Sequence, residues 1–183
     1  MERFKKLLPY LPLGLVGIVL LNELRIALGP RRLKRQHIYQ QAVAAAARLN
    51  KPLMVLGDPD GGIVNRFIGR DYGCGAICTD LRGCDTCPIA IKGRAEDILP
   101  KFKNNSHVIY ASMVLEYVDD YARVVRELQR VSGGDLFITT VEPNSVTAFL
   151  YPGAQRRILN APPTSESIVA AELPWGNNPG VAI

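Results

Sequence analysis

The amino-acid sequence predicts an α/β domain with a mainly parallel sheet, preceded by an apolar N-terminal segment. From residue 53 to residue 141, short apolar runs alternate with segments of helical spacing. Strands that alternate with helices are typical of crossover units and therefore of parallel pairing. The chain has 183 residues, and beyond an anchor of about thirty residues it is long enough for one ordinary domain.

Residues 1–30 are predicted to form an uncleaved membrane anchor. The run from Leu7 to Leu21 contains no charged residue, and its extension to Leu28 includes Glu23 and Arg25. A membrane-spanning helix needs about 20 apolar residues. Two alternatives remain open: a cleaved signal peptide, or a helix that lies at a membrane interface or packs against protein.

The basic residues are concentrated beside this apolar segment. The formal net charge is +5, and the flanks carry most of the excess: Arg3, Lys5, Lys6, Arg25, Arg31, Arg32, Lys34 and Arg35. Such flanks suit anionic lipid headgroups, and the sequence lacks the basic stripe that a nucleic-acid partner would require. Because more cations follow the segment than precede it, a single-pass protein with a cytoplasmic domain is expected.

The first half of the domain is predicted from apolar runs and the residues that end them. An alanine-rich stretch precedes Lys51 and Pro52, and the next apolar run stops at a Gly-rich turn. These patterns are typical of a helix with a stop signal and of a buried parallel strand. The predicted elements are a helix at 36–50, strands at 53–56 and 75–80, and a short helix at 63–70.

The second half continues the alternation. Val124, Val125 and Leu128 have helical spacing, and Gly133 is suited to a helix C-cap. The predicted elements are a short strand at 89–91, a helical turn at 95–102, strands at 107–113 and 135–141, and a helix at 120–131. Residues 152–183 are rich in Pro, Gly and Asn and are expected to form an irregular tail that packs on the domain or on a protein partner.

Four cysteines lie within fourteen consecutive positions: Cys74, Cys78, Cys84 and Cys87. Their spacing lacks the two short knuckles that structural zinc sites usually have. The sequence therefore favours buried or loop thiols in a reducing compartment and no metal site. Cys84 and Cys87 remain weak candidates for a metal, and also for a redox or structural pair.

The stretch from residue 107 to residue 143 resembles class I S-adenosylmethionine-dependent methyltransferases, of the kind called methyltransferase type 11. The resemblance rests on three motifs: Val114-Leu115-Glu116-Tyr117-Val118, Glu127-Leu128-Gln129-Arg130-Val131 and Gly133-Gly134. It extends over residues 53–143 and implies a Rossmann-like, doubly wound sheet with flanking helices. Residues 31–151 are then the methyltransferase-like domain, and a membrane-anchored methyltransferase of unknown substrate is the expected function.

The resemblance also implies which residues hold S-adenosylmethionine. The Gly-rich turn would approach the methionyl part of the cofactor, and the acid after the second strand would accept from the ribose hydroxyls. The next acid would bind the adenine amino group, and the end of the fourth strand would face the reacting methyl group or the adenine. In this order the residues are Gly57, Asp58, Asp60 and Gly61, then Asp80, then Asp97, then Ser112 and Met113.

Several features depart from the family pattern. Pro59 stands where the middle glycine of the turn belongs, and no pair of strands is evident after residue 143. His37 and His107 have no partner for a catalytic dyad, so no catalytic residue is assigned. The alternative function is a catalytically inactive, methyltransferase-like structural or assembly protein at a membrane. A third interpretation is a nucleotide-like ligand other than S-adenosylmethionine.

Overall fold

A computed structural model describes residues 11–61, 65, 69–140 and 170–172. Two helices open the described chain, α1 (Leu11–Leu28) and α2 (Pro30–Leu49). Gly29 separates them in an extended conformation with Pro30 in the first turn of α2, a position that suits proline. Asn50 ends α2 in the left-handed conformation, with φ of 51°. Among the described helices, none has both the length and the apolar content that crossing a membrane requires.

The α/β prediction is confirmed: a parallel sheet lies between helices. Its strands pair in the order β3-β2-β1-β4-β5-β6, and every pair is parallel. The strands are β1 (Leu53–Leu56), β2 (Ile77–Asp80), β3 (Ala90–Lys92), β4 (Val108–Ser112), β5 (Leu136–Thr139) and β6 (Ala170–Glu172). The remaining helices are α3 (Ala95–Ile98), continued by a 3-10 turn at Leu99–Lys101, and α4 (Tyr121–Ser132).

Successive residues of the strands belong to two separate cores, one on each face of the sheet. Met54 and Ile109 are in register and pack with Leu128 of α4. Val55 and Tyr110, also in register, pack on the other face with residues of α2 such as Ala42. Because side chains alternate along a strand, both faces of the central strands must be apolar. This explains the continuous apolar runs in the sequence.

The strand order places a switch point between β1 and β4. From β1 the sheet extends through β2 to β3 on one side, and from β4 through β5 to β6 on the other. In open parallel sheets, ligands bind outside the carboxyl ends of the strands at such a point. Gly57 directly follows β1, and Ser112 is the last residue of β4.

The C-terminal segment contains a strand that the sequence analysis missed. Residues 170–172 form β6, which pairs with β5 in the register Ile138↔Ala171. Only three residues pair there, and the run Ala-Ala-Glu lacks the β-branched and aromatic residues that mark strands. The rest of the predicted tail, residues 1–10 of the predicted anchor and most of the predicted helix at 63–70 lie outside the described residues.

Candidate functional site

Gly57 marks a close approach between the carboxyl ends of β1 and β4. Its φ is 101°, a conformation that favours glycine. A Cβ atom at this position would lie 2.4 Å from the carbonyl oxygen of Ser112 and 3.3 Å from the hydroxyl of Tyr72. No larger residue fits here without moving backbone atoms, so the approach of β4 to β1 requires glycine at this position. The predicted approach of the cofactor to Gly57 stays a prediction.

The turn after Gly57 is closed by its own hydrogen bonds. The amide of Gly61 donates to the carbonyl of Asp58 at 2.9 Å, and the amide of Asp60 donates to Oδ1 of Asp58 at 3.1 Å. Pro59 therefore occupies the second position of a four-residue turn, where its fixed φ is favoured. The departure from the family's middle glycine pre-shapes this turn.

Asp80, the predicted ribose ligand, lies against the same turn. Its Oδ2 accepts from the amide of Asp58 at 3.3 Å, and its Oδ1 accepts from the amide of Arg82 at 2.7 Å. One carboxylate thus accepts hydrogen bonds both from the start of the Gly-rich turn and from the loop after β2. Residues 22 positions apart in the sequence meet because β1 and β2 are neighbouring parallel strands.

The carboxylates around this turn form an acidic group. Burial raises the pKa of Asp58 above its ordinary value, and the negative charges of Asp60, Asp80 and Asp85 raise it further, against the opposing effect of the Asp60 amide. A cation bound beside these side chains would relieve their mutual repulsion. The electrostatics of the site therefore suit a positively charged ligand.

Asp60 is already paired within the protein. Arg70 grips its carboxylate with two nitrogens, Nε at 2.5 Å from Oδ1 and Nη2 at 2.8 Å from Oδ2, and the hydroxyl of Thr86 also donates to Oδ2. Thr86 and Arg70 are themselves in contact at 2.7 Å. The sequence predicts a binding role for Asp60 but not its contacts with Arg70 and Thr86, because nothing in the spacing of residues 60, 70 and 86 marks them.

Asp97 is exposed on α3, whereas its neighbour Glu96 is buried. Glu96 accepts from the amide of Asp119 at 2.7 Å, which ties α3 to the segment before α4. Among the described residues, the hydrogen bonds around Asp58 and Asp80 do not include Asp97. The charges that raise the pKa of Asp58 are those of Asp60, Asp80 and Asp85, and the role of Asp97 at the adenine stays a prediction.

Ser112 and Met113 leave β4 in an unusual conformation. Ser112 is buried, and its Oγ accepts from the hydroxyl of Thr139 at 3.1 Å. Met113 has a φ of 52°, which is uncommon for a residue with a side chain, and its amide donates to the carbonyl of Thr139 at 2.9 Å. Strained backbone of this kind is found at binding sites more often than elsewhere.

Tyr72 is a site residue that no sequence signal marks. Its hydroxyl donates to the carbonyl of Asp58 at 3.1 Å, and its ring packs against Tyr110 at 5.1 Å and Tyr39 at 6.3 Å between centroids. Burial raises the pKa of Tyr72 well above its ordinary value, so the hydroxyl remains a donor. It lies at the switch point, close to Gly57.

The four cysteines form two nested disulfides, which corrects the prediction of free thiols. Cys74 is bonded to Cys87 and Cys78 to Cys84, with Cα–Cα distances of 5.5 Å and 6.2 Å. The pairing arises because Cys74 precedes β2 while the loop after β2 folds back alongside it. The weak metal candidates Cys84 and Cys87 are thus neither a pair nor thiolates able to ligate a metal.

No group of three or more side chains within the described part of the chain is arranged to hold a metal ion. Disulfides are typical of oxidising compartments. Free thiols, on which the prediction of a reducing compartment depended, are therefore absent from the four cysteines.

A comparison of the chain with protein-family models, curated proteins and solved structures finds no match. The geometry at the carboxyl ends of β1, β2 and β4 is therefore the basis for inferring a function.

Proposed function

We propose that the chain is a membrane-anchored S-adenosylmethionine-dependent methyltransferase whose cofactor binds where β1, β2 and β4 end. The observation that carries the proposal is the contact between the turn after Gly57 and the carboxylate of Asp80 at the switch point of the sheet. The strand order is that of Rossmann-like, doubly wound domains, which bind nucleotide-containing ligands at this point.

The residues present suit the chemical groups of this cofactor. A carboxylate has about four acceptor positions, and Asp80 uses two of them for the amides of Asp58 and Arg82. The others remain for the hydroxyls of a ribose. The acidic group around Asp58 suits the ammonium and sulfonium charges of the cofactor.

In this proposal the cofactor supplies the reactive methyl group, and the protein contributes position and charge. The closed Asp58–Gly61 turn and the buried end of β4 hold two sides of the site rigid. Correct placement of two reactants lowers the barrier to their reaction without a dedicated acid or base. No residue is assigned to the chemical step itself, and the substrate is not identified.

Calorimetry on the full chain in detergent tests cofactor binding. We expect S-adenosylmethionine to bind and Asp80→Asn to weaken its affinity by at least about tenfold, because a charge-assisted hydrogen bond is lost. Asp119→Asn is the matched control, since Asp119 is exposed and pairs with Arg94. Binding of adenosine nucleotides in place of S-adenosylmethionine would support the other-nucleotide interpretation, and an unchanged affinity in Asp80→Asn would contradict the assigned site.

The membrane part of the proposal rests on the exposed apolar side chains of α1. Ile18, Leu20 and Leu21 are each more than six-tenths exposed, and at about 100° per residue they point to different sides of the helix. Arg25 lies in the last turn. Apolar side chains exposed on more than one side of a helix favour contact with lipid or protein, and the basic flank favours anionic lipid.

Flotation with anionic vesicles tests this anchor. We expect the full chain to float with the vesicles and the variant with Leu20→Asp and Leu21→Asp to remain in the dense fraction. Leu81→Asp is the control, because Leu81 is equally exposed but lies in the loop after β2. Protease protection on sealed vesicles would then decide on which side of the membrane the domain lies. The side matters for the disulfides, because a cytoplasmic domain would hold them in a reducing environment.

A specific observation favours the second candidate, a catalytically inactive structural or assembly protein. The hydroxyl of Tyr72 lies at the switch point and Asp60 is held by Arg70 and Thr86, so the protein's own side chains satisfy groups that a cofactor would meet. This candidate predicts a folded domain that binds no S-adenosylmethionine and in which Tyr72→Phe lowers stability. The calorimetry above separates the two candidates.

A further inference from the structure

The two disulfides fasten the loop after β2 beside the Gly-rich turn. The inner bond, Cys78–Cys84, joins this loop to β2 itself, and the outer bond, Cys74–Cys87, joins it to the segment before β2. Thr86 directly precedes the outer cysteine and donates to Asp60 of the turn. The outer bond therefore holds in place the residue that contacts the turn.

The two bonds differ in access. Cys78 and Cys84 are 0% and 1% exposed, whereas Cys74 is partly exposed and Cys87 is at the edge of the core. Exchange requires an external thiolate to reach a sulfur atom. Because Cys74 is the most exposed of the four cysteines, we expect a reductant to react with the outer bond before the inner one.

Opening the outer bond would loosen the segments that carry Arg70 and Thr86. The loop that carries Thr86 would lose its link to Cys74 and would be cross-linked only by the inner bond at Cys84. Arg70 precedes Cys74 by four residues, so the segment that carries Arg70 would lose its tie as well. In the bonded state both side chains hold the carboxylate of Asp60.

We propose that Cys74–Cys87 is a thiol–disulfide exchange site that controls whether Asp60 is available to a cationic ligand. In the disulfide state Arg70 and Thr86 hold the carboxylate of Asp60, and reduction weakens the hold of these two side chains. The exchange itself is independent of the proposed methyltransferase function, whereas its consequence for S-adenosylmethionine rests on that function.

The chemistry needs a dithiol as co-reactant. One thiolate of the dithiol attacks the sulfur of Cys74, which forms a mixed disulfide and releases Cys87 as a thiolate that takes up a proton. The second thiol of the reductant then attacks the mixed disulfide and releases Cys74. Two electrons and two protons pass to the protein, and the dithiol leaves as its own disulfide.

Graded reduction of the full chain in detergent tests the site. The chain is treated with increasing dithiothreitol, alkylated and mapped by peptide mass. We expect the label to appear first on Cys74 and Cys87, while Cys78 and Cys84 remain unlabelled. Simultaneous labelling of all four cysteines, or labelling of the inner pair first, would overturn the proposal.

Hydrogen exchange of residues 57–61 tests the release of Asp60 without any ligand. We expect faster exchange of this turn after reduction of the outer bond, and also in Thr86→Val with both disulfides intact. Thr86→Ser, which keeps the hydroxyl, should exchange like the unmodified chain. If exchange in the turn is unchanged by both reduction and Thr86→Val, the disulfide does not control Asp60.

Calorimetry with S-adenosylmethionine completes the test. We expect affinity to increase by about tenfold on outer-bond reduction, because a carboxylate becomes available for a charge-assisted hydrogen bond. Equal affinity in both states would refute control of the ligand by the disulfide. Absence of binding in both states would refute the proposed function, while labelling and hydrogen exchange would still decide the exchange site.

Discussion

The centre of the sheet and its β2–β3 edge are stabilised by different means. Every residue of β1, β4 and β5 is buried, and these strands have a helix on each face. In contrast, β3 has no fully buried residue and β2 has two. The two disulfides lie on this side of the sheet: the outer bond joins the segments before and after β2, and the inner bond joins β2 to the loop that follows it.

The difference shows where apolar burial is sufficient and where covalent bonds replace it. A short edge strand buries little surface and gains little free energy from it. Cross-links restrict the unfolded chain instead, and their contribution does not depend on the size of the local core. The candidate site lies between these regions, with Gly57 and Ser112 on the central strands and Asp80 at the end of β2.

The largest expected effect comes from the central core. Phe137 is 1% exposed and lies in the core that β5 shares with α2. Phe137→Ala is expected to lower the free energy of unfolding by about 3–5 kcal/mol, because it removes a large buried side chain and leaves a cavity. Urea unfolding of the full chain in detergent measures this loss. Leu81→Ala, at an exposed position, is expected to change stability by less than about 0.5 kcal/mol; similar losses in both variants would contradict the comparison.

The disulfides are expected to contribute less than the core. Replacement of Cys74 and Cys87 by alanine should cost about 2–3 kcal/mol, and replacement of Cys78 and Cys84 somewhat less, because the closed loops span 13 and 6 residues. Denaturant midpoints of the two double variants provide the measurement. Hydrogen exchange should rise mainly in β2 and β3, and an equal rise throughout β4 and β5 would show that the edge is not a separate region.

Two glycines with similar backbone conformations separate steric contact from conformational strain at the site. Gly57 and Gly83 have φ of 101° and 102°, but a Cβ at Gly83 would meet nothing within 4 Å. Gly57→Ala is expected to cost about 2 kcal/mol and Gly83→Ala about 1 kcal/mol. Thermal unfolding of both variants measures the difference. Equal losses would mean that the approach of Ser112 to Gly57 is not a rigid feature of the site.

The smallest expected effect is the pH dependence due to Asp58. Its pKa is raised in the folded state, so protonation favours folding, and the stability contributed by this group falls as pH rises above its ordinary value of 3.8. Asp58→Asn keeps the acceptor for the amide of Asp60 but cannot ionise. The free energy of unfolding of Asp58→Asn minus that of the unmodified chain should therefore be larger at neutral pH than below pH 3.8. Urea unfolding at both pH values tests this, and a constant difference would contradict it.

The elements that the sequence predicted well are those with local signals. Residues 53–56 form a strand between Pro52 and Gly57, as predicted, because the apolar run and both flanking residues agree. The helix α4 was also predicted to within a residue at each end, because its ends are marked locally. The side chain of Asp120 caps its first turn, and Gly133 ends it in a left-handed conformation.

The contacts that were missed join residues far apart in the chain. Four cysteines allow three pairings, and their spacing does not select among them. Likewise, no local signal marks Arg70 and Thr86, and they contact Asp60 only because the fold places their two loops side by side. The contact of Asp80 with the turn also joins residues far apart in the chain, and the ligand roles of Asp80 and Asp97 stay predictions.

The sequence by itself determined the alternation of strands and helices, because apolar periodicity and end signals act over a few residues. It also determined the apolar surface of α1 and the turn at Asp58–Gly61, which depend on side chains close in the sequence. Only the tertiary structure decided the pairing of the cysteines, the position of Tyr72 and the contacts of Asp60. These depend on which loops the parallel sheet brings side by side, and that arrangement is set by the packing of the whole core.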